Sequence, residues 1–416
     1  MSARETADAA RATTRTKLPR TVKALSAVSL FTDASSEMIY PLLPAFLTAT
    51  LGVSAAWVGI IEGTADAVAS LLKLASGWWS DRVPRRKPLV VFGYGLASVL
   101  RPLVGFASAG WQVLAIRVGD RVGKGIRGAP RDAMIADAVP AGERGRAFGV
   151  QRAADHAGAF IGPLIAFVLL QWVGVSVRTV FLLAAVPAAV AMVVVVFVLK
   201  EDDSRQTTVD SGRLAVDRAP TAIRRPPTAD APLGASFWRY LAVLVLFTLG
   251  NSTDAFLLLR ASQLGVSAAT IPLLWAALHV VKSATSIPAG AWSDRVGRRT
   301  MIAAGWLWYA LVYLGFALAS STWHAWALFI AYGLFFGLTE AVERALVADL
   351  VPAARRGTAF GWYNGVIGAA VLPASVVFGL LWDWRGSAFA FTVGAASAAL
   401  ASIALVAVRP PREHTA

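Results

Sequence analysis

The chain has 416 residues, of which 56% are hydrophobic and only 15% are charged, and it contains no cysteine. A soluble protein of this size carries roughly 25% charged residues, so most of this surface is expected to face lipid. The net charge of +14 does not indicate nucleic-acid binding, because most Lys and Arg lie at the ends of apolar runs or inside them. No disulfide or thiolate-metal site can form without cysteine. The four histidines lack ligand spacing, so we expect no metal and no cofactor.

The first 22 residues are polar and basic, and the apolar stretch after them continues as a full membrane span. A cleaved signal would need a short apolar core ending at small residues, so we interpret residues 1–22 as a cytoplasmic tail. Twelve apolar runs of about 20 residues follow, each long enough to cross a bilayer. They cover residues 23–49, 57–80, 88–108, 111–138, 146–170, 176–199, 237–261, 268–292, 299–319, 324–349, 358–381 and 386–408.

The spans divide into two groups of six on either side of a polar segment. Residues 200–236 are rich in Asp, Arg, Thr and Pro without apolar periodicity, which predicts a flexible linker. The predicted fold class is an all-α membrane protein with two pseudo-symmetric six-helix bundles, over residues 23–199 and 237–408, and a short tail at 409–416. Loops on one side hold nearly all the Lys and Arg, so both termini and the linker are expected to be cytoplasmic, in the cell membrane.

One short motif occurs at matching positions in both halves. The segment Gly77-Trp-Trp-Ser-Asp81-Arg82-Val-Pro-Arg85-Arg86 returns as Gly290-Ala-Trp-Ser-Asp294-Arg295-Val-Gly-Arg298-Arg299. A repeat phased to hydrophobic spans indicates two similar membrane-embedded halves. The glycine allows close helix approach, and the aspartate can face another helix's positive N-terminus. Arg85 and Arg298 are placed to pair with an acid on a nearby helix end, and Asp137 and Asp349 occupy matching positions there.

These motifs resemble the signatures of the major facilitator superfamily over about residues 20–410. The doubled loop is similar to the first signature, Leu114-Ala-Ile-Arg117 to the second, and Gly158-x-x-x-Gly162-Pro163 to that of the antiporter branch. The resemblance implies a latch that holds the cytoplasmic side closed and opens during transport. Its residues are Gly77, Asp81, Arg82, Arg85, Arg86, Asp137, Gly290, Asp294, Arg295, Arg298 and Asp349. The alternative is that the arginines only fix the topology.

A stripe of charges runs along the fourth span. At 100° per residue its members fall within about 140° of one another: Arg117, Asp120, Arg121, Lys124, Arg127, Arg131 and Asp132. Each charge facing lipid would cost about 2.5–3.5 kcal/mol, so the stripe must face a water-filled cavity or paired partners. The five cations are candidates to bind an anionic substrate. The alternative is a structural network in which acids of other spans neutralise them.

Two pairs of acids lie one helical turn apart in the first two spans, Asp33 with Glu37 and Glu62 with Asp66. These acids could pair with the stripe. A buried carboxylate near a movable cation can also gain and lose a proton near neutral pH, which couples an ion gradient to transport. All four are therefore candidate proton-coupling residues, with Asp33 and Glu37 first.

The duplicated halves and the resemblance predict a secondary active transporter whose central site opens alternately to each side of the membrane. The leading hypothesis is proton-coupled export of a small organic anion or an anionic metal chelate, with export indicated by the antiporter-like signature. Alternatives are a broad-specificity drug exporter for lipophilic cations and an importer of a nutrient anion. No nucleophile–base pair or metal triad is recognisable, so we do not expect an enzyme. Expected partners are a small-molecule substrate, protons and the lipid bilayer, and the chain is expected to be a monomer.

Overall fold

The computed structural model describes residues 18–80, 85–139, 144–200, 233–351 and 356–407. Within these ranges the chain forms twelve helical segments and no β-strand, which confirms the predicted fold class. The uninterrupted segments are α2 (Ala55–Ser80), α4 (Gly110–Asp137), α8 (Ile271–Val296), α9 (Arg298–Leu318), α10 (Thr322–Asp349), α11 (Arg356–Arg385) and α12 (Ser387–Ala407).

The other five segments change helix type or break along their length. Helix α1 is Arg20–Ile39 extended by tighter and wider turns to Thr50, α3 is Lys87–Leu100 with a 3₁₀ turn Arg101–Phe106, and α5 is Arg144–Val168 with a π turn Leu169–Val173. Helix α6 comprises Val177–Leu183, Ala185–Val193 and a π turn Val194–Val198, and α7 comprises Ala235–Gly250 and Ala255–Gln263.

The breaks have identifiable causes and place polar groups in the interior. Pro41 and Pro44 remove backbone donors in the second part of α1, where the helix changes type. Helix α7 unwinds between Gly250 and Ala255. The freed amide of Thr253 in this gap donates to Ser375 Oγ on α11 at 3.3 Å. Such interruptions are tolerated at membrane depth only where neighbouring groups or a cavity satisfy the backbone.

Nine helices of the described ranges are long and apolar enough to cross a membrane. The other three helices are α1, α4 and α8, and the described side chains of α8 include an apolar stretch over Ile271–Thr285. Charged residues lower the apolarity of all three, most of all in α4 with its stripe. The polar helices are therefore the ones that need partners inside the bundle.

Most packing lies within each half, and the halves meet mainly along two helix pairs. In the first half α1 packs on α5, and α4 packs on α2 and α3. In the second half α9 packs on α10 and α12 around an aromatic core that includes Trp306, Tyr309 and Phe316. Across the halves, α2 packs on α11 and α5 packs on α8.

The helices α2 and α11 are in close contact at one end of the bundle. We call the end that holds the first residue of α1 and the last residue of α12 the terminal end, and the other the opposite end. A Cβ added to Gly379 of α11 would lie 2.6 Å from Cα of Ala56 at the start of α2, so the backbones touch there. The seam continues through Gly59 and Ser375 to Gly368 and Ser70, near mid-helix. The halves are thus closed against each other at the opposite end.

Candidate functional site

The first two charges of the stripe on α4, Arg117 and Asp120, are neutralised by residues of neighbouring helices. Arg117 donates from Nε and Nη2 to the two oxygens of Glu62 on α2, at 2.9 and 2.5 Å. Asp120 accepts from Arg101 Nε of α3 at 2.7 Å, and Arg101 also donates to the carbonyl of Thr32. All four charged side chains are at most 6% exposed. This part of the stripe is a buried salt-bridge network.

Three further cations of the stripe have weaker or local partners. Arg121 lies 3.7 Å from Asp66 and 3.9 Å from Asp120, and its Nε has no hydrogen-bond partner. The Arg127 guanidinium lies 4.4 Å from the ring centre of Tyr94 and donates to a backbone carbonyl of α3. Arg131 pairs with its neighbour Asp132 at 2.9 Å. Of these three cations, Arg121 is therefore the least completely satisfied.

Lys124 and Asp33 lie close enough for their charges to interact. Lys124 is exposed, and no described residue forms a hydrogen bond or an ion pair with it. Asp33 on α1 likewise has no hydrogen bond or ion pair with any described residue. Its charged neighbours are Asp155 on α5, Glu37 on its own helix, and Lys124 and Arg127 on α4. The structure thus brings together one predicted proton-coupling acid and one predicted substrate-binding cation.

The remaining predicted acids have different surroundings. Glu62 is fully engaged by Arg117, whereas the Asp66 side chain is 42% exposed beside Arg121. Glu37 accepts a hydrogen bond at 2.7 Å from Trp275 Nε1 of α8, which joins the two halves.

A cavity of about 320 Å³ lies between the halves. Tyr40 of α1 and Asp66 of α2 contribute from the first half, and the rest of its wall comes from α7, α8, α10 and α11. The break in α7 places Asp254 on this wall, where Tyr332 Oη donates to it at 2.6 Å. The cavity wall therefore combines carboxylates with aromatic rings.

The described latch candidates lie at the terminal end, and two ion pairs that they form stay within one half each. Arg86 contacts Asp137 at 2.5 Å, joining α3 to α4, and Arg298 contacts Asp349 at 2.7 Å, joining α9 to α10. The cation of the first pair is Arg86, whereas the sequence favoured Arg85, which is exposed. Arg86 immediately precedes α3, and its side chain reaches the end of α4.

The other latch candidates are less fully described. Arg295 is exposed. Asp81 and Arg82 lie outside the described residues, and only the helical backbone of Gly77, Gly290 and Asp294 is described. A latch between the halves thus stays a prediction.

Several polar contacts of the site have no counterpart in the sequence interpretation. Arg101 stands alone in an apolar run, and that isolation is the one signal that could have identified it as a partner for α4. The role of Trp275 as a donor to Glu37 leaves no mark in the sequence. Asp383, near the end of α11, accepts from the backbone amides of Ala55 and Ala56 at 3.0 and 2.9 Å. This carboxylate caps α2 from the other half and closes the opposite end.

Replacing Asp383 with alanine is expected to favour conformations that are open at the opposite end. The first turn of α2 then loses a charged acceptor contributing about 0.5–2 kcal/mol, which shifts the ratio of conformations about two- to thirtyfold. Because the chain has no cysteine, spin labels can be attached to cysteines introduced at Thr50 and Ala268. Pulsed electron paramagnetic resonance then measures the distance between the two halves at the opposite end. Asp383→Asn, which keeps one acceptor, should lie between. An unchanged distance distribution in Asp383→Ala would show that the cap does not hold this end closed.

Two six-helix halves that enclose a polar cavity and close at one end define a membrane transport protein. The sequence profile of the Major Facilitator Superfamily matches residues 25–278 and 252–416. The chain belongs to this superfamily, and it is a multi-pass membrane transporter of small molecules.

Individual relatives extend this assignment. An uncharacterized MFS-type transporter of Methanocaldococcus jannaschii is 32% identical over 88% of this chain and 89% of its own length. The fosmidomycin resistance protein of Escherichia coli is 25% identical over 84% of each chain. The crystal structure of a bacterial homolog of the human lysosomal transporter Spinster, inward-facing and unoccupied, covers 94% of this chain and 96% of its own, with 16% identity and a TM-score of 0.69.

Proposed function

We propose that this chain is a proton-coupled exporter of a small organic anion, working by alternating access. The observation that carries the proposal is the pair formed by Asp33 and Lys124, two side chains of neighbouring helices that form no hydrogen bond or ion pair with any described residue. The charge of Asp33 acts on Lys124, so proton binding at Asp33 and anion binding at Lys124 are thermodynamically coupled.

The anion-binding role falls on a subset of the predicted cations. Arg117, Arg127 and Arg131 have partners within the protein, so they are proposed to position the helix rather than to contact substrate. Lys124 and the loosely held Arg121 remain as contacts for a carboxylate, phosphonate or chelate. Because the other cations of the stripe have protein partners, the proposed anion site consists of these two cations.

Export and orientation belong to the same proposal. The charge distribution of the loops favours a cytoplasmic terminal end, so the closed opposite end faces outward and Lys124 is reached from the cytoplasm. A relative named for fosmidomycin resistance supports export, since resistance is readily achieved by moving a compound out. The antiporter-like Gly158 and Gly162 approach the backbone of α1 at Leu30 and Ala34, so they also pack the helix that presents Asp33.

Replacing Lys124 with glutamine is expected to weaken anion binding about tenfold or more, because a charged hydrogen bond contributes about 1.5–3 kcal/mol. The measurement is the stabilisation of purified protein by a panel of carboxylates, phosphonates and metal chelates, with lipophilic dyes as the alternative ligands. Lys124→Arg is the matched control and should retain most of the affinity. Stabilisation by dyes but by no anion would overturn the proposed substrate class in favour of a drug exporter.

A further inference from the structure

The charges on the wall of the central cavity are unevenly compensated. Four carboxylates and one ammonium line it: Asp66, Asp254, Glu340, Glu343 and Lys282. Asp66 has Arg121 within 3.7 Å, and Glu340 has Lys282 at 3.1 Å and Arg344 at 3.5 Å. Among the described residues, neither Asp254 nor Glu343 forms an ion pair within 4 Å. The second-half wall therefore holds two carboxylates without an ion-pair partner in the described part of the chain.

Glu343 on α10 is held in place by neutral donors alone. Glu343 is buried, with 7% of its surface exposed. Trp306 Nε1 donates to Oε1 at 2.9 Å and Tyr363 Oη donates to Oε2 at 2.8 Å. A carboxylate has about four acceptor positions, so two remain for a ligand. Asp254 is oriented in the same way, by Tyr332.

Aromatic side chains supply the rest of this wall. Phe247, Phe335 and Phe336 line the cavity beside Tyr332 and Tyr363. Aromatic faces attract cations through their quadrupole, and the attraction increases when the cation is desolvated. Carboxylates set among such faces are suited to an organic ammonium group.

The ammonium group of Lys282 lies between a carboxylate and an aromatic ring on this wall. It is 3.1 Å from a carboxylate oxygen of Glu340 and 4.2 Å from the ring centre of Phe336. One amine thus already sits between an acid and an aromatic face on this wall. The same combination is repeated around Glu343 and Asp254, where no amine of the described chain takes the position.

We propose that the cavity binds the protonated amine of the substrate, with Glu343 and Asp254 as its carboxylate partners. This inference rests on the proposed function, because the same molecule presents its anionic group to Lys124. Lys124 lies one turn beyond Arg121, about 4.5 Å along the α4 axis, and Arg121 contacts the cavity residue Asp66. The transported molecule is therefore amphoteric, an organic acid that also carries an amine and an apolar body.

The test uses the purified full chain in nanodiscs and three probes: benzylamine, benzoate and 4-(aminomethyl)benzoate. Calorimetry should show that the amphoteric probe binds at least about tenfold more tightly than either single-charge probe, because both ends are engaged. Glu343→Gln should weaken benzylamine and the amphoteric probe about tenfold, while benzoate affinity stays within about twofold. Retained benzoate binding also shows that the variant is folded.

Asp254→Asn provides a second variant with the same expected pattern, should Glu343→Gln fail to fold. Tyr363→Phe is the matched control, since it keeps the Glu343 charge and removes only one hydrogen bond, so its effect should be smaller. Absence of benzylamine binding to the unaltered protein, or unchanged affinity in both acid variants, would overturn the amine site. If benzoate still binds through Lys124 in that case, the proposed function stands. Benzylamine binding without benzoate binding would instead refute the anion proposal and leave the amine site.

Discussion

Asp33→Asn is expected to abolish gradient-driven transport while leaving substrate exchange intact. The amide has nearly the shape of the carboxylic acid but cannot release a proton, so the transporter is fixed in the state that corresponds to protonated Asp33. The coupling between two ligands is typically about 1–3 kcal/mol, so the variant should lose a proton-dependent change of about five- to 150-fold in substrate affinity. In proteoliposomes with an imposed pH gradient, export should approach the level of vesicles treated with a protonophore. Counterflow of labelled against unlabelled substrate, which needs no proton cycle, should stay within about twofold of the unaltered protein.

The charged groups around Asp33 define the controls. They are Asp155, Glu37, Lys124 and Arg127. Glu37→Gln tests the second candidate proton-coupling residue. Because Glu37 accepts a hydrogen bond from Trp275 of the other half, this variant is expected to alter the balance between conformations and to retain coupling. Asp132→Asn removes a half-exposed carboxylate of α4 and should preserve uphill export. Uphill export that persists in Asp33→Asn would eliminate Asp33 as the coupling residue.

Glu62→Gln is expected to be strongly destabilising because it removes the nearest counter-ion of the buried Arg117 guanidinium. The remaining counter-ion of Arg117 is Asp120, which is 4.0 Å away and shared with Arg101. The Glu62 and Arg117 side chains are at most 5% exposed and share two hydrogen bonds. Breaking a buried pair on one side costs about 3–5 kcal/mol. The apparent melting temperature in detergent should fall by several degrees. Asp66→Asn is the matched control, since this acid is 42% exposed and 3.7 Å from its cation. Its effect should be below about 1 kcal/mol.

A double replacement separates a missing partner from poor packing. Glu62→Leu combined with Arg117→Met removes both charges and keeps apolar volume. The double variant should therefore be about 1–4 kcal/mol more stable than Glu62→Gln. If the double variant were no more stable than Glu62→Gln, the uncompensated charge would not be the cause of the loss.

The architecture was predictable because it depends on local composition. Span length, loop charge and the doubled motif around Gly77 and Gly290 predicted twelve helices in two related groups, and each appears in the fold. The charged stripe predicted that α4 has polar surroundings, but it did not identify the residues that pair with it. Arg117 pairs with Glu62 and Arg101 with Asp120 because of how α2, α3 and α4 are rotated. Helix rotation depends on tertiary packing, which periodicity alone does not determine.

The cavity between the halves could not be predicted from the sequence for a related reason. Its wall combines Phe247, Asp254, Tyr332, Glu343 and Tyr363, which lie on three helices and follow no shared spacing. Aromatic residues in apolar spans are usually part of the core, and only the break in α7 and the approach of α10 and α11 turn these toward a common space. Similarly, a shift of one residue at the start of α3 decides that Arg86, rather than its neighbour, reaches Asp137.

The pairing of α4 also bears on how the chain is inserted during synthesis. A helix with this many charges partitions poorly from the translocon into lipid by itself. Glu62 and Arg101, which neutralise Arg117 and Asp120, both precede α4 in the chain. Both have been synthesised before α4 emerges from the ribosome, so we expect the helix to enter the bilayer as part of a neutral assembly with α2 and α3. The order of the helices along the polypeptide thus provides a route for biogenesis that α4 lacks in isolation.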